Sequence, residues 1–572
     1  MLLALVLRLF EFPDPWSGKG FKSAFGAFAT GSHARGFYQH GFADSGWMPF
    51  YWRLELADGT VVRDLYTHHP PFYALLSGLC LRLFGLHEWA LRLPWTLFSL
   101  LAILSLHRLF RLLWGERPAL FGALFLAVVP LSSWWGTLAW VDGALIFLYG
   151  LQLHAYVRWL RGGGRRCLLE MAALSFLGGL VDWPMHFLLP GLLLHAGAWA
   201  WRRGGARALL PLAAVPAAAL ASIALHRLHM ALVVPPGVGE ADTQHTLGAV
   251  MRMPLPWLDF LQLQGRYALK YLTLPGTVLV VAGLLRHGVR AARGRLGVEG
   301  WLPLVMLPPG VMYVLLFPGR SLNHDFFVFI SLPAFAALAA LELDLLARSL
   351  APAGGRRASP RAALAAVAAV AVPPAVAAFL GRQSLQDLFD VLAVGTAAVL
   401  VLLEGRALLR PRGSARLQLA GPPLLFAVLL TCGWRHLTCW AEERSRGLSE
   451  FVGSEWLAPL LEDERAVIVG PSSTRLQLHF YSAAPIVGLT GGLGQLLGQR
   501  EALYSRLEED RRVVCLFDLE LLDPGALLPE VHEDMVALHE YLRREARSEL
   551  HLELSRFGYA FELFELSEWA RR

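Results

Sequence analysis

The sequence predicts an all-α polytopic membrane protein of about thirteen transmembrane helices with a small C-terminal extracytoplasmic α/β domain. Three observations predict it. Of the 572 residues, 55% are hydrophobic and only 17% charged, against about 25% charged in an ordinary soluble domain, and the mean hydropathy is +0.46. The apolar residues fall in blocks of about 20, the length that crosses a hydrocarbon core of roughly 30 Å. After Trp440 the composition turns charged and mixed. Single soluble cores stop growing near 250–300 residues, so this much apolar sequence calls for lipid and argues against a soluble enzyme.

A net charge of +6 and an isoelectric point near 9.2 would suggest nucleic acid in a soluble chain. In a membrane chain they reflect arginine gathered in cytoplasmic loops, and no nucleic-acid partner is expected. The cysteines Cys80, Cys167, Cys432, Cys439 and Cys515 are scattered, with no Cys-x-x-Cys pair. Neither a disulfide framework nor a zinc site is indicated.

Met1 to Phe12 reads as the outer part of a first span. Its residues at 1.5 Å each cover about 18 Å, so this helix is expected either to start deep in the membrane or to have a turn or two upstream. The arginines then fall into six clusters: Arg108, Arg111, Arg117; Arg158, Arg161, Arg165, Arg166; Arg202, Arg203, Arg207; Arg286, Arg290, Arg293, Arg295; Arg348, Arg356, Arg357, Arg361; and Arg406, Arg410, Arg412, Arg416. Positive-inside logic places all six in the cytoplasm. Successive clusters are separated by two spans and an outward turn, at Leu138 to Asp142, Asp182 to Pro184, Val234 to Lys270, Pro318 to Asp325 and Gly381 to Asp387. The N-terminus is then inside and the C-terminus outside.

Pro70 to Leu86 is apolar but carries Arg82, and counting it as a span would invert every later loop. It is predicted to be an interfacial helix on the outer leaflet, within one extracytoplasmic loop of residues 13–88. Ala351 to Arg361 reads as a cytoplasmic linker. The expected domains are a membrane domain over 1–440 and an extracytoplasmic α/β domain over 441–572. In the latter, Ala466 to Gly470 and Val513 to Asp518 read as buried strands and Met535 to Ala546 as amphipathic.

The first loop holds unusual chemistry in Phe12 to Phe42, FPDPWSGKGFKSAFGAFATGSHARGFYQHGF. The chain has only three lysines, and two, Lys19 and Lys22, follow Asp14 here. Lysine is a strongly hydrated point charge suited to phosphate, and a nearby carboxylate can act as a general base. Interfacial snorkelling and a turn aspartate explain the same residues. Asp142 opens an apolar span in TLAWVDGALIFLYG, where an ionisable group suggests function and a helix cap is equally good chemistry. Asp182, before Pro184, reads either way too. In FPGRSLNHDFFVFISLP, Arg320, Asn323, His324 and Asp325 occupy a short turn where Arg320 and His324 suit a phosphate at headgroup depth, or the four form an ordinary polar turn. The topology, derived without them, puts Asp14, Lys19, Lys22, His68, His69, Asp142 and Arg320 on one side of the membrane.

Several stretches, in order, resemble the GT-C glycosyltransferases, especially the bacterial branch related to protein O-mannosyltransferases and lipid A aminoarabinose transferases. They are HARGFYQHGF (His33 to Phe42), YTHHPPFYALL (Tyr66 to Leu76), LFGLHEWALRLP (Leu83 to Pro94), LAWVDGALIF (Leu138 to Phe147) and NHDFF (Asn323 to Phe327). The resemblance implies a GT-C fold and a multi-pass hexosyl- or pentosyltransferase of the cytoplasmic (inner) membrane. Its donor would be a polyprenyl-phosphate-linked sugar and its acceptor a hydroxyl of a lipid, glycan or protein, with inversion at the sugar and membrane lipid around it. It implies Asp14 and Asp142 as catalytic carboxylates, with Lys19, Lys22, Arg320 and His324 holding the donor phosphate. His68, His69 and Asp325 would contact substrate.

The chain departs from the family where many relatives carry an acid about one and a half turns before the Ala-Arg matching Ala34-Arg35. That position lies near Ala29, in an acid-free stretch, which leaves Asp14 as the nearest upstream carboxylate and Asp44, Asp58 and Asp64 as substitutes. No nucleotide is expected, since no Walker or Rossmann fingerprint occurs. A divalent cation stays open as a cofactor, with no ligand spacing that demands one. A flippase for lipid-linked saccharides would also want many spans and outward basic residues, though the one-sided polar residues and the external domain favour the enzyme. A non-catalytic scaffold on the same fold is favoured only by the missing acid.

Overall fold

The computed structural model describes residues 1–9, 30–133, 136, 138–202, 205–235, 255–323, 327–349, 457–471, 486–489, 492–522, 529–554 and 559–571. The expectations for the linker Ala351 to Arg361, the turn Gly381 to Asp387 and a last span over Gly421 to Cys439 lie outside them. Five helical stretches among the described residues are long and apolar enough to cross a membrane: Glu88–Trp114, Leu209–Val233, Trp257–Ala292, Val298–Leu316 and Val328–Arg348.

In chain order the elements begin with α1 (Leu2–Leu9), α2 (His33–His40) and a hairpin of β1 (Phe50–Glu55) and β2 (Val61–Leu65). Next come α3 (Phe72–Phe84), α4 (Glu88–Trp114), α5 (Glu116–Val128), α6 (Asp142–Leu160) and α7 (Gly164–Val181). At 13 residues, α3 reaches about 20 Å, too short to span, as expected for the stretch carrying Arg82. Gly85, with φ +88°, ends it; glycine meets no Cβ penalty in that region.

The chain continues through α8 (Leu188–Arg202), α9 (Ala214–Val233), α10 (Trp257–Ala292), α11 (Pro308–Leu316), α12 (Pro318–Asn323) and α13 (Leu332–Ser349). Here one expectation is corrected. The outward turn was placed over Val234 to Lys270, yet Trp257 onward is helical. The arginine clusters on either side mark this stretch only as an outward connection, and its apolar residues keep helical spacing. The helix breaks at Thr273 (φ +65°), just before Pro275, whose missing N–H and ring interrupt the ladder. The Thr277 hydroxyl donates to the Thr273 carbonyl at 2.7 Å and secures the break.

The last elements are β3 (Ala466–Pro471), β4 (Ile486–Leu489), α14 (Gly492–Ala502), β5 (Arg512–Asp518), α15 (Pro529–Glu545), β6 (Arg547–Leu554) and β7 (Tyr559–Glu565). They form a sheet of order β4-β3-β5-β7-β6, parallel from β4 to β5 and antiparallel beyond. The two strands read from buried apolar runs are its centre.

The described residues divide into two compact units, one drawn from Met1–Phe12, Trp95–Leu232 and Pro236–Trp440, the other from Pro13–Pro94, Val233–Pro235 and Ala441–Arg572. In the first, the organising contact is Arg8 of α1, which is fully buried. Its Nε donates to Ser99 Oγ of α4 at 2.7 Å. Its Nη2 donates to the carbonyl and hydroxyl of Ser132 at 3.0 and 2.9 Å. The carbonyls of Leu126 and Ala127, at the C-terminal end of α5, accept from it at 3.4 Å each. A cation there complements the helix dipole and satisfies carbonyls the helix leaves open. Among the described residues Arg8 meets hydroxyl and carbonyl oxygens and no carboxylate.

Ser99 also governs how closely α4 and α6 pack. A Cβ on Gly136 would lie 2.0 Å from Ser99 Oγ, and one on Gly143 would lie 3.0 Å from the Ser99 backbone nitrogen. Both positions therefore need glycine for α4 and the start of α6 to approach this closely. Arg8→Met is expected to strand the Ser132 hydroxyl and the α5 carbonyls and to destabilise the membrane unit by on the order of 3 kcal/mol. Arg8→Lys should recover only part of this, because an ammonium carries its donors on one nitrogen. Denaturant unfolding in lipid-detergent micelles checks both, and wild-type stability in Arg8→Met would contradict the assignment.

Candidate active site

Asp142 is the first residue of α6, after a residue that makes no side-chain cap. It is 7% exposed, and its Oδ2 is buried without a hydrogen-bond partner among the described residues. A carboxylate at a helix N-terminus is favoured by the dipole, but leaving a buried acceptor oxygen unpaired is costly. No side-chain cap is made here, and Oδ2 faces no hydrogen-bond donor among the described residues.

Asp182 ends α7 in extended backbone and accepts from the Trp183 N–H at 2.7 Å, capping a short 3-10 turn over Trp183–Phe187. It lies close enough for its charge to act on Asp142. Tyr149, two turns along α6, donates to the Pro184 carbonyl at 2.5 Å and ties the two carboxylate segments together. Around the turn, the Trp183 ring meets His226 of α9 edge-on at 5.2 Å. His186 packs so closely on α7 that a Cβ on Gly179 would lie 2.6 Å from its ring. Trp183, His186 and His226 went unnoticed in the sequence; their signal was Asp-x-Pro beside paired aromatic and histidine residues in an apolar block.

The second unit holds the described part of the first loop. His33 opens α2 fully buried, with Nδ1 2.7 Å from the Tyr73 hydroxyl of α3. Its ring lies 4.5 Å from Tyr51 of β1 and 4.9 Å from Tyr66, just after β2. Tyr66 in turn meets His68 at 5.2 Å and stacks on His69 at 5.9 Å. His68 and His69 thus join a cluster of three histidines and three tyrosines, which can bind polar groups and pass a proton between hydroxyl and imidazole. His33, Tyr51, Tyr66 and Tyr73 were missed as site residues because a hairpin and two helices bring them together.

Gly36 lets α2 lie against β1, since a Cβ there would be 2.7 Å from the Phe50 ring. Beside it Arg35 is 5% exposed, and burial pulls its guanidinium down to about 10. Asp44 accepts both arms of Arg63 at 2.7 and 2.9 Å, and this pairing holds its carboxyl below the ordinary value. Burial and the charge of Arg53 lower His40. Asp58 is pulled to about 2, first by the Thr60 N–H and then by Arg506. Asp44 and Asp58 are thus each engaged by an arginine, Arg63 and Arg506.

Arg320 lies in α12, and its side chain, like Asp14, Lys19, Lys22, His324 and Asp325, is outside the described residues. Gln264 of α10 donates to the Ser321 carbonyl at 2.9 Å and fixes the neighbouring turn. Among the described residues no group of three or more His, Cys, Asp or Glu side chains is placed to hold a metal ion.

Residues 68–226 match the family model described as dolichyl-phosphate-mannose-protein mannosyltransferase. The chain shares its fold with ArnT from Cupriavidus metallidurans bound to undecaprenyl phosphate, at 16% identity and TM-score 0.56, covering 99% of this chain and 96% of that one. It is also similar to the apo Archaeoglobus fulgidus oligosaccharyltransferase, at 13% identity and TM-score 0.50, covering 98% of this chain and 73% of that one. No curated protein matches the sequence. The resemblance to the GT-C glycosyltransferases is thus borne out by a family match and a shared fold.

Because Asp44 is held below its ordinary value of 3.8, its contribution to folding is complete above that value and is lost as pH falls through the lowered one. Asp44→Asn is expected to cost about 1 kcal/mol near neutrality and to remove part of the loop's acid sensitivity below about pH 4. Near-ultraviolet circular dichroism through an acid titration reads the change; an acid midpoint identical to wild type would contradict it.

Proposed function

We propose that this protein transfers a sugar from a polyprenyl-phosphate donor to an acceptor hydroxyl at the outer face of the cytoplasmic membrane, with inversion at the anomeric carbon. The observation that carries the reading is the buried, unpartnered oxygen of Asp142, inside the stretch matched by the mannosyltransferase family model. The fold shared with an ArnT that binds undecaprenyl phosphate supports the lipid-linked donor.

In the proposed reaction a carboxylate takes the proton of the acceptor hydroxyl as its oxygen attacks the anomeric carbon. The bond from that carbon to the phosphate oxygen breaks, and the electron pair leaves on polyprenyl phosphate. Asp14 is assigned as the base and Asp142 as the carboxylate that orients the acceptor or receives a hydrogen bond from it. Lys19, Lys22, Arg320 and His324 stabilise the growing charge on the leaving phosphate where water is partly excluded. His68, His69 and Asp325 contact the sugar or the acceptor. The reaction draws on no nucleotide, because the donor arrives already activated.

The test is release of polyprenyl phosphate from a panel of polyprenyl-phosphate sugars by the purified full-length protein. Asp14→Asn and Asp142→Asn are each expected to lower turnover by about 100-fold or more, with donor binding within about threefold of wild type. Turnover unchanged in Asp14→Asn moves the base to another carboxylate. No release with any donor and acceptor mixture would overturn the transferase.

A further inference from the structure

The β1–β2 hairpin has two occupied faces. Past the irregularity between Phe50 and Arg53, Trp52, Leu54 and Leu56 share one packed face. With Val62 they enter the core of the C-terminal sheet, among Val467, Val469 and Phe517. Leu54 is 1% and Leu56 2% exposed, so these first-loop residues are core residues of a domain more than 400 positions away. The intervening residues face the other way. Tyr51 packs on His33 at 4.5 Å, and Arg53 and Arg63 reach Asp44 at 3.6 and 2.7 Å.

Both ends of the hairpin are pinned. At its tip the Ala57 N–H donates to the Arg506 carbonyl at 3.1 Å, and the Arg506 guanidinium donates to Asp58 at 2.6 Å. At its base the Tyr66 N–H donates to the Pro49 carbonyl at 2.8 Å, and Tyr66 carries the contacts to His33, His68 and His69. The ladder pairs Arg53–Glu55 with Val61–Arg63 and closes again at Phe50 and Leu65, so displacing its apolar face pulls on Tyr51 and Tyr66 at its base.

We propose that the C-terminal α/β domain sets the position of the first-loop histidine and tyrosine cluster through this hairpin, which makes Trp52, Leu54 and Leu56 positioning residues for the transfer reaction. The inference rests on the reading that the first loop belongs to the transfer site. It also means that residues 441–572 lack part of their own core when separated from residues 50–65.

The experiment combines hydrogen exchange with transfer kinetics on the full-length protein in lipid nanodiscs, comparing wild type, Leu54→Ala and Leu54→Met. Leu54→Ala opens a cavity on the apolar face, and exchange over residues 30–42 and 66–73 is expected to rise about tenfold or more while α10 and α13 stay as in wild type. The kcat is expected to fall about tenfold with the donor KM within about threefold. Leu54→Met, close in volume, should restore both. If Leu54→Ala does not fold, Arg506→Gln releases only the exposed tip and should raise the same exchange about threefold.

Exchange over 30–42 and 66–73 unchanged while the C-terminal strands loosen would overturn the proposal. So would raised exchange with wild-type kcat. The exchange result holds whatever the chemistry: raised first-loop exchange in a protein that releases no polyprenyl phosphate would sink the transferase reading and leave the mechanical coupling standing.

Discussion

A guanidinium buried in the apolar membrane unit constrains much around it. Arg8 cannot be left there without hydrogen bonds, because a desolvated cation is costly. The fold meets that demand with oxygens from three separate segments: Ser99, the open carbonyls at the end of α5, and Ser132. Ser99 then dictates glycine at 136 and 143, and Gly143 is the neighbour of Asp142. The candidate carboxylate thus stands on a chain of contacts that begins with one arginine on the first helix. Tyr149, on the same helix, is tied to the Asp182 turn through the Pro184 carbonyl.

The first loop obeys a different constraint. Its hairpin is short and would be marginal alone, so it gains stability by giving its apolar face to the C-terminal core. The same arrangement leaves the opposite face to aromatic and charged residues. Tyr51, Tyr66, His33, His68 and His69 come together at the base of the hairpin, beside the irregularity between Phe50 and Arg53.

Much of this is written in local pattern. The helix break at Asp182 is readable because Pro184 follows it, and Ala466 to Gly470 and Val513 to Asp518 are readable as central strands because continuous apolar runs suit a parallel sheet covered on both faces. Asp142 stands out as a charge in an apolar block. The partners of Arg8 were not readable, since carbonyls at a helix end carry no side-chain signature. The partner of Leu54 lies across the chain, and no local period points to it. The helical stretch from Trp257 is hidden for another reason: the arginine clusters fix only that an outward connection lies between two spans, not where its helix starts.

The central claim is that an acceptor oxygen displaces polyprenyl phosphate in one step. The most direct test is the anomeric configuration of the new linkage, read by proton NMR coupling constants on product made from a donor of known configuration. Inversion, with one polyprenyl phosphate released per sugar transferred, is the result this account predicts. Retention of configuration, or movement of the lipid-linked sugar across a bilayer with its phosphate bond intact, would contradict it.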